Sequence, residues 1–132
     1  MRIALDSSVL IAAHISRAGM CAELLEDLLL HHELATSEFI LGEVGRKLVE
    51  KFRFLRRDAD QVAVFLRRVA VVVEPADLPS DVCRDPTDIP ALGTAVNGDC
   101  ALLISVDRDL LDMHRIDEIP IIRPGEYWRR TT

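Results

Sequence analysis

Ile3-Ala4-Leu5-Asp6-Ser7-Ser8-Val9-Leu10-Ile11 is the stretch on which the reading of this chain turns. Its first three residues form a short apolar run typical of a buried strand. Asp6 closes the run, so its carboxylate projects from a strand's carboxyl end just before an apolar helix. In open α/β sheets that edge is where ligands bind. A second run, Ala101 to Ser105, has the same form and delivers Asp107 at its exit. Two strand-end carboxylates in one small chain point to a metal site.

Beyond this stretch the pattern alternates. Met1 to Asp6 reads as a strand, and Ser8 caps a helix to about Ser16 that is apolar nearly all round and hence buried. Gly19 breaks it, and Leu24, Leu25, Leu28 and Leu29 recur at helical spacing up to His31. Leu34 to Thr36 is a strand. Ser37 caps a helix running to about Lys51, with Phe39, Ile40, Val44 and Leu48 as its inner stripe. Asp58 or Asp60 opens a helix through Arg68, and the β-branched run Val69 to Val73 is a strand. Pro75 to Pro86 is a loop. A helix follows from about Asp88 to Asn97, stopped by Gly98, then the strand Ala101 to Ser105 and a short helix from Asp107 to Met113. Ile119 to Ile122 is the last strand, and Pro124 to Trp128 a terminal turn. Such alternation predicts an α/β fold of three layers, with a central parallel sheet covered by helices on both faces.

At 132 residues the chain suits one domain over 1–132. Half-hydrophobic composition with 29% charged residues is that of an ordinary globular protein. No apolar stretch reaches the roughly 18 residues of a membrane span, and no signal-like preamble precedes the first strand, so a cytoplasmic location is expected without membrane contact. Cys21, Cys83 and Cys100 show no paired spacing and read as small buried apolar residues. His14, His31, His32 and His114 make no zinc motif.

A formal charge of −6 argues against nonspecific nucleic-acid binding, but its distribution changes the argument. Eight of the sixteen basic residues lie between positions 46 and 68 against three acids, a local charge of +5. Arg46, Lys47, Lys51, Arg53, Arg56 and Arg57 form either a solvated helical face or a rail for a phosphate backbone.

Glu43 lies one and a half turns into the helix that starts at Ser37, and Asp88 starts a helix after the proline-rich loop. In a doubly wound sheet, helix starts and strand ends share an edge, so Asp6, Asp88 and Asp107 converge there with Glu43 reaching in from the side. Each acid has a plainer use. Asp88, Asp107 and Asp109 are all good helix caps, and Glu43 alone is an ordinary half-exposed helix residue. Together, four carboxylates in one pocket repel one another unless a cation neutralises them, and oxygen-only ligands select Mg²⁺ or Mn²⁺.

These residues resemble a known family. Asp6-Ser7-Ser8 after a hydrophobic strand, Ser37 with Glu43, Arg84-Asp85-Pro86-Thr87-Asp88 with Ala95, and Ser105-Val106-Asp107-Arg108-Asp109-Leu110-Leu111 are similar, in that order, to the PIN domain. The nearest branch resembles the VapC-related toxins of bacterial toxin–antitoxin pairs. The resemblance covers nearly the whole chain and implies a Mg²⁺- or Mn²⁺-dependent endoribonuclease. Its catalytic and metal-binding acids map onto Asp6, Glu43, Asp88 and Asp107, with Asp109 as an auxiliary metal ligand. Ser7 and Ser105 match family hydroxyls and would orient the carboxylates. The chain departs from the family pattern at Ser8, Ile89 and Val106, where Asn, an acid or Asn, and Gly are usual.

The implied reaction is hydrolysis of an RNA phosphodiester by a metal-activated water, with the basic rail holding the strand. Toxin kinship also implies a cognate antitoxin partner. The apolar helix faces at Leu24 to Leu29 and Phe39 to Leu48 suit core packing, an antitoxin groove or a homodimer. The alternative from a different class is a catalytically weak PIN-like module that binds RNA or protein, motivated by Ser8, Ile89 and Val106.

Overall fold

The computed structural model describes residues 1–131. Strand β1 (Arg2–Leu5) leads into α1 (Ser7–Ile15) and α2 (Met20–His31); β2 (Glu33–Thr36) leads into α3 (Glu38–Phe52) and α4 (Arg56–Val69). The short β3 (Val71–Val72) precedes a long loop, a 3₁₀ turn (Pro86–Asp88) and α5 (Ile89–Asn97). Then come β4 (Leu102–Ile104), α6 (Arg108–Leu111), β5 (Arg115–Ile116), β6 (Ile119–Ile122) and the closing turn and helix, Pro124–Glu126 and α7 (Tyr127–Thr131).

The strand order is β3-β2-β1-β4-β6-β5, and every pair is parallel except the terminal β5–β6 hairpin. From β1 the chain winds outward through β2 and β3, then crosses to β4 on the other side of β1, runs to the edge strand β5 and turns back into β6 between β4 and β5. The β1/β4 pair, with Ala4 opposite Leu103 and Leu5 opposite Ile104, is therefore the point where the winding reverses. Helices that leave two neighbouring strands on opposite faces open a crevice at their carboxyl ends, and Asp6 and Asp107 stand at its two sides.

Buried on both faces, these strands are continuous apolar runs: Ile3, Ala4, Leu5, Leu102, Leu103 and Ile104 have almost no exposure. Helix α1 packs Val9, Leu10 and Ile11 inward, and α2 adds Leu24, Leu25 and Leu28. No single described helix is long and apolar enough to cross a membrane; α1 and α2 reach that composition only together, and they meet at a bend of 107°.

Two contacts seat the start of α5. Ala76 N–H donates to the Gly93 carbonyl at 2.9 Å, and a Cβ built on Gly93 would lie 2.6 Å from the Ala76 oxygen, so only glycine lets the loop approach. Thr94 Oγ1 lies 2.7 Å from the Pro90 carbonyl and 2.9 Å from Ser37 Oγ, the hydroxyl that caps α3. Pro90 itself costs no hydrogen bond, because the first turn of a helix has no intrahelical acceptor for its N–H.

Several expectations are corrected. Val69 ends α4, and only Val71 and Val72 pair as a strand, because α4 carries its helical stripe through Leu66 to the sheet edge. Helix α4 begins at Arg56 after Leu55, without a side-chain cap, so neither Asp58 nor Asp60 opens it. Asp6, not Ser8, occupies the cap position of α1. The expected central parallel sheet is present in β3, β2, β1, β4 and β6, but the antiparallel edge strand β5 has no counterpart in the hydrophobic pattern of the sequence. Phe39, in phase with the inner stripe of α3, is 60% exposed. Of the cysteines, Cys100 is buried but Cys21 and Cys83 are half-buried.

Candidate metal centre

Asp6 is 7% exposed and yet carries a carboxylate, so its hydrogen bonds decide its character. Ser105 Oγ donates to Oδ2 at 2.7 Å and Ser8 Oγ to the same oxygen at 2.9 Å. Burial raises the Asp6 pKa above the ordinary carboxylate value; the Ser105 and Ser8 bonds oppose that rise and the Glu43 charge adds to it. Ser105 has a second role. Its oxygen accepts from the Asp107 backbone N–H at 2.9 Å, tying the turn after β4 to the turn after β1.

Asp107 caps α6, and its Oδ1 accepts from Asp109 N–H at 3.0 Å. Glu43 enters from α3. Its Oε1 accepts from Ser7 Oγ at 3.0 Å and pairs with Lys47 Nζ at 2.7 Å, one helical turn on. Ser7 Oγ is 3.5 Å from Asp6 Oδ1, so that hydroxyl stands between the two carboxylates and favours Glu43.

Asp88 closes the 3₁₀ turn. Its Oδ2 is buried and has no hydrogen-bond partner. Its pKa is pushed up to about 8, first by desolvation, then by an Asp107 carboxylate near enough to share a proton, then by the charges of Asp6 and Asp85. The charges thus tie Asp6 to Glu43 and Asp88 to both Asp107 and Asp6. Among the described residues, the trio of carboxylate oxygens lying within 4.8 Å of one another is a different one: Asp85, Asp88 and Asp109.

Asp85 is a member of this group that sequence reasoning misses. It caps the 3₁₀ turn, with Thr87 N–H at 3.0 Å and Thr87 Oγ1 at 2.8 Å holding Oδ1, and those bonds pull its pKa down. The usable signal is its spacing. Residues three apart eclipse each other in a 3₁₀ turn, which brings the 85 and 88 carboxylates to one side. Arg84 flanks the same group, with Nε 3.4 Å from Asp109 and an NH2 bond of 2.6 Å to Asp112.

The residues fit a hard divalent cation on two grounds. All candidate donors are carboxylate oxygens, and one of them, Asp88 Oδ2, is buried without a donor, which leaves its charge to be neutralised by a proton or a cation. Beside the acids lies a pocket of about 250 Å³ lined by Asp6, Phe39, Glu43, Arg46, Thr87 and Pro90.

The basic segment is more neutralised than its composition suggests. Arg46 pairs with Glu50 at 3.8 Å, Arg56 with Asp60 at 4.0 Å and Arg57 with Asp58 at 4.0 Å, while Arg67 grips Glu38 with two bonds of 2.9 Å. Lys51 and Arg53 have no ion-pair partner among the described residues, and Arg53 ends α3 with φ 59°. The exposed pairs of Arg46, Arg56 and Arg57, at 3.8–4.0 Å, are weak.

A family model described as PIN domain matches residues 2–109. No sequence among the curated proteins matches the chain. A chain of VapBC2 from Rickettsia felis, solved bound to a DNA fragment from their promoter, is similar with a TM-score of 0.69 at 13% identity, covering 93% of this chain and 98% of that one. PAE2754 from Pyrobaculum aerophilum is similar with a TM-score of 0.65 at 18% identity, covering 98% of this chain and 88% of that one.

Proposed function

The chain belongs to the PIN domain family, and on that footing we propose that it is a Mg²⁺- or Mn²⁺-dependent endoribonuclease acting as the toxin of a toxin–antitoxin pair. The observation that carries this reading is Asp88 Oδ2, a buried oxygen without a donor, within a group of carboxylates at the sheet's switch point. Asp6, Glu43, Asp88 and Asp107 would hold the cation, with Asp109 and Asp85 at its flank. Once bound, it supplies an acidified water and positive charge for the scissile phosphate.

The chain's own groups do the rest. Ser105 and Ser8 fix the Asp6 carboxylate, and Ser7 fixes Glu43, so the acids are aimed before any ligand arrives. Arg46, on the pocket wall, offers a charge-assisted hydrogen bond to a phosphate oxygen. Exposed Phe39 at the same pocket offers a face for a base. Lys47, Lys51, Arg53, Arg56 and Arg57 continue this positive edge along α3 and α4, giving the strand a path away from the pocket.

An antitoxin partner and a cytoplasmic setting belong to the same reading, supported by the likeness to a VapBC2 chain. A shallow apolar groove of about 300 Å³ lined by Ala13, Leu25, Leu29, Leu30 and Phe65 suits that partner or a second copy of the chain. The test is RNA cleavage with Mn²⁺ by the parent, Asp6→Asn and Asp107→Asn. Loss of cleavage in both variants supports the reading; equal cleavage by all three overturns it.

A second reading, a catalytically weak module that binds RNA or protein, is favoured by Ile89, an apolar residue in the position directly after Asp88, and by Val106, which is 52% exposed beside Asp107. Mn²⁺ binding by a parent that cleaves nothing would favour it.

A further inference from the structure

Lys47 is one of two lysines among sixteen basic residues, and it is half-buried against a candidate metal ligand. Its Nζ lies 2.7 Å from Glu43 Oε1, the oxygen that Ser7 also holds, and both side chains are about 30% exposed. Thr87's two hydrogen bonds chiefly hold the Asp85 carboxyl down; burial opposes them, and the Lys47 charge adds a lesser pull in their direction. The ammonium is thus held on α3 by Glu43, at the edge of the carboxylate cluster.

We propose that Lys47 is an internal counter-ion that competes with the divalent cation for Glu43 and gives way when an RNA phosphate takes up its ammonium, so that RNA and cation bind cooperatively. The inference rests on the metal-dependent ribonuclease reading above and adds to it how the two ligands are coupled.

A Lys ammonium is a compact point charge on a flexible stem, so it can exchange one oxygen partner for another with little change elsewhere. With the site free of ligands it satisfies Glu43; on cation binding the same charge becomes repulsive, because a divalent ion is the largest charge in such a site. A phosphate drawn to the pocket offers the ammonium an alternative partner, which relieves that repulsion. By linkage, whatever RNA does for cation affinity the cation does equally for RNA affinity. Glu43 does not depend on Lys47 for its place, since Ser7 Oγ holds the same oxygen from α1.

The experiment is calorimetric titration of Mn²⁺ into the full chain, with and without a phosphorothioate RNA decamer, which keeps the backbone charge while slowing hydrolysis. Lys47→Met should bind Mn²⁺ at least about fivefold more tightly than the parent without RNA, the low end of ordinary coupling. The tightening that RNA produces in the parent should shrink by a similar factor in Lys47→Met and stay within about twofold of the parent in Lys47→Arg. Unchanged or weaker Mn²⁺ binding by Lys47→Met overturns the inference, weaker binding meaning that Lys47 only positions Glu43. If the parent binds RNA and Mn²⁺ without mutual effect, coupling is refuted while the ribonuclease reading stands. A parent that binds no Mn²⁺ sinks both.

Discussion

Ser105 Oγ donates to Asp6 Oδ2 at 2.7 Å across 99 residues of chain, and the same oxygen accepts from the Asp107 N–H. One hydroxyl therefore sets the relative position of the two strand-end carboxylates. Ser105→Ala leaves a buried carboxylate and a backbone N–H each short of a partner, and should cost about 1–3 kcal/mol in urea unfolding. Ser105→Thr keeps the hydroxyl and should recover most of that loss. Equal stability of Ser105→Ala and the parent would show the bond to be dispensable.

Asp88 makes the protein's stability depend on pH in a direction opposite to most carboxylates. Its folded pKa of about 8 lies above the ordinary 3.8, so the folded state binds the proton more tightly than the unfolded one. In chelator, stability should fall as pH rises from about 4 to about 8, and Asp6, also raised, acts in the same sense. Asp88→Asn should flatten that decline and melt higher than the parent at pH 8 without divalent ions. A parallel pH profile for the two proteins would contradict it. Adding Mn²⁺ should narrow the difference, because the cation replaces the proton.

Charge on the α3–α4 edge should matter for RNA and not for folding. Arg53→Glu, Arg56→Glu and Arg57→Glu together should weaken RNA binding and reduce the salt slope by about 0.7 for each phosphate that is no longer neutralised. Melting should hold within about 0.5 kcal/mol, since Arg56 and Arg57 make only exposed pairs. A binding isotherm with an unaltered salt slope would remove this face from the RNA path.

Glycines in two helices should respond in opposite ways. Gly93→Ala drives a methyl toward the Ala76 oxygen, 2.6 Å away, and should cost about 1–3 kcal/mol while loosening the loop that leads to Asp88. Gly42→Ala and Gly45→Ala, with nothing within 4 Å of the added carbon, should stabilise α3 by up to about 1 kcal/mol each. Thermal melts of the three variants check both signs together.

Asp6 and Asp107 are legible in the sequence because a short apolar run ending in an acid marks a strand's carboxyl edge without any tertiary information. The parallel β1, β2, β4 and β6 are legible for a related reason: strands buried on both faces need unbroken apolar residues. The antiparallel β5 is not. Its turn residue Asp117 and the preceding His114 take positive φ of 51° and 65° without glycine, so the sequence carries no hairpin signal there.

Phe39 illustrates the limit of periodicity, since helical phase places it with Ile40 but the pocket at the mouth of the site leaves it exposed. Ser8 is another case: composition makes it a helix cap, and the fold turns its hydroxyl onto Asp6. Local pattern thus settles which residues end strands and start helices, because those preferences act over a few neighbouring positions. The Asp85–Asp88 and Glu43–Lys47 spacings are likewise local. That Asp88 loses its solvent and that Ser105 reaches Asp6 are consequences of the folded arrangement alone, because desolvation and hydrogen bonding act there between residues that are distant in the chain until it folds.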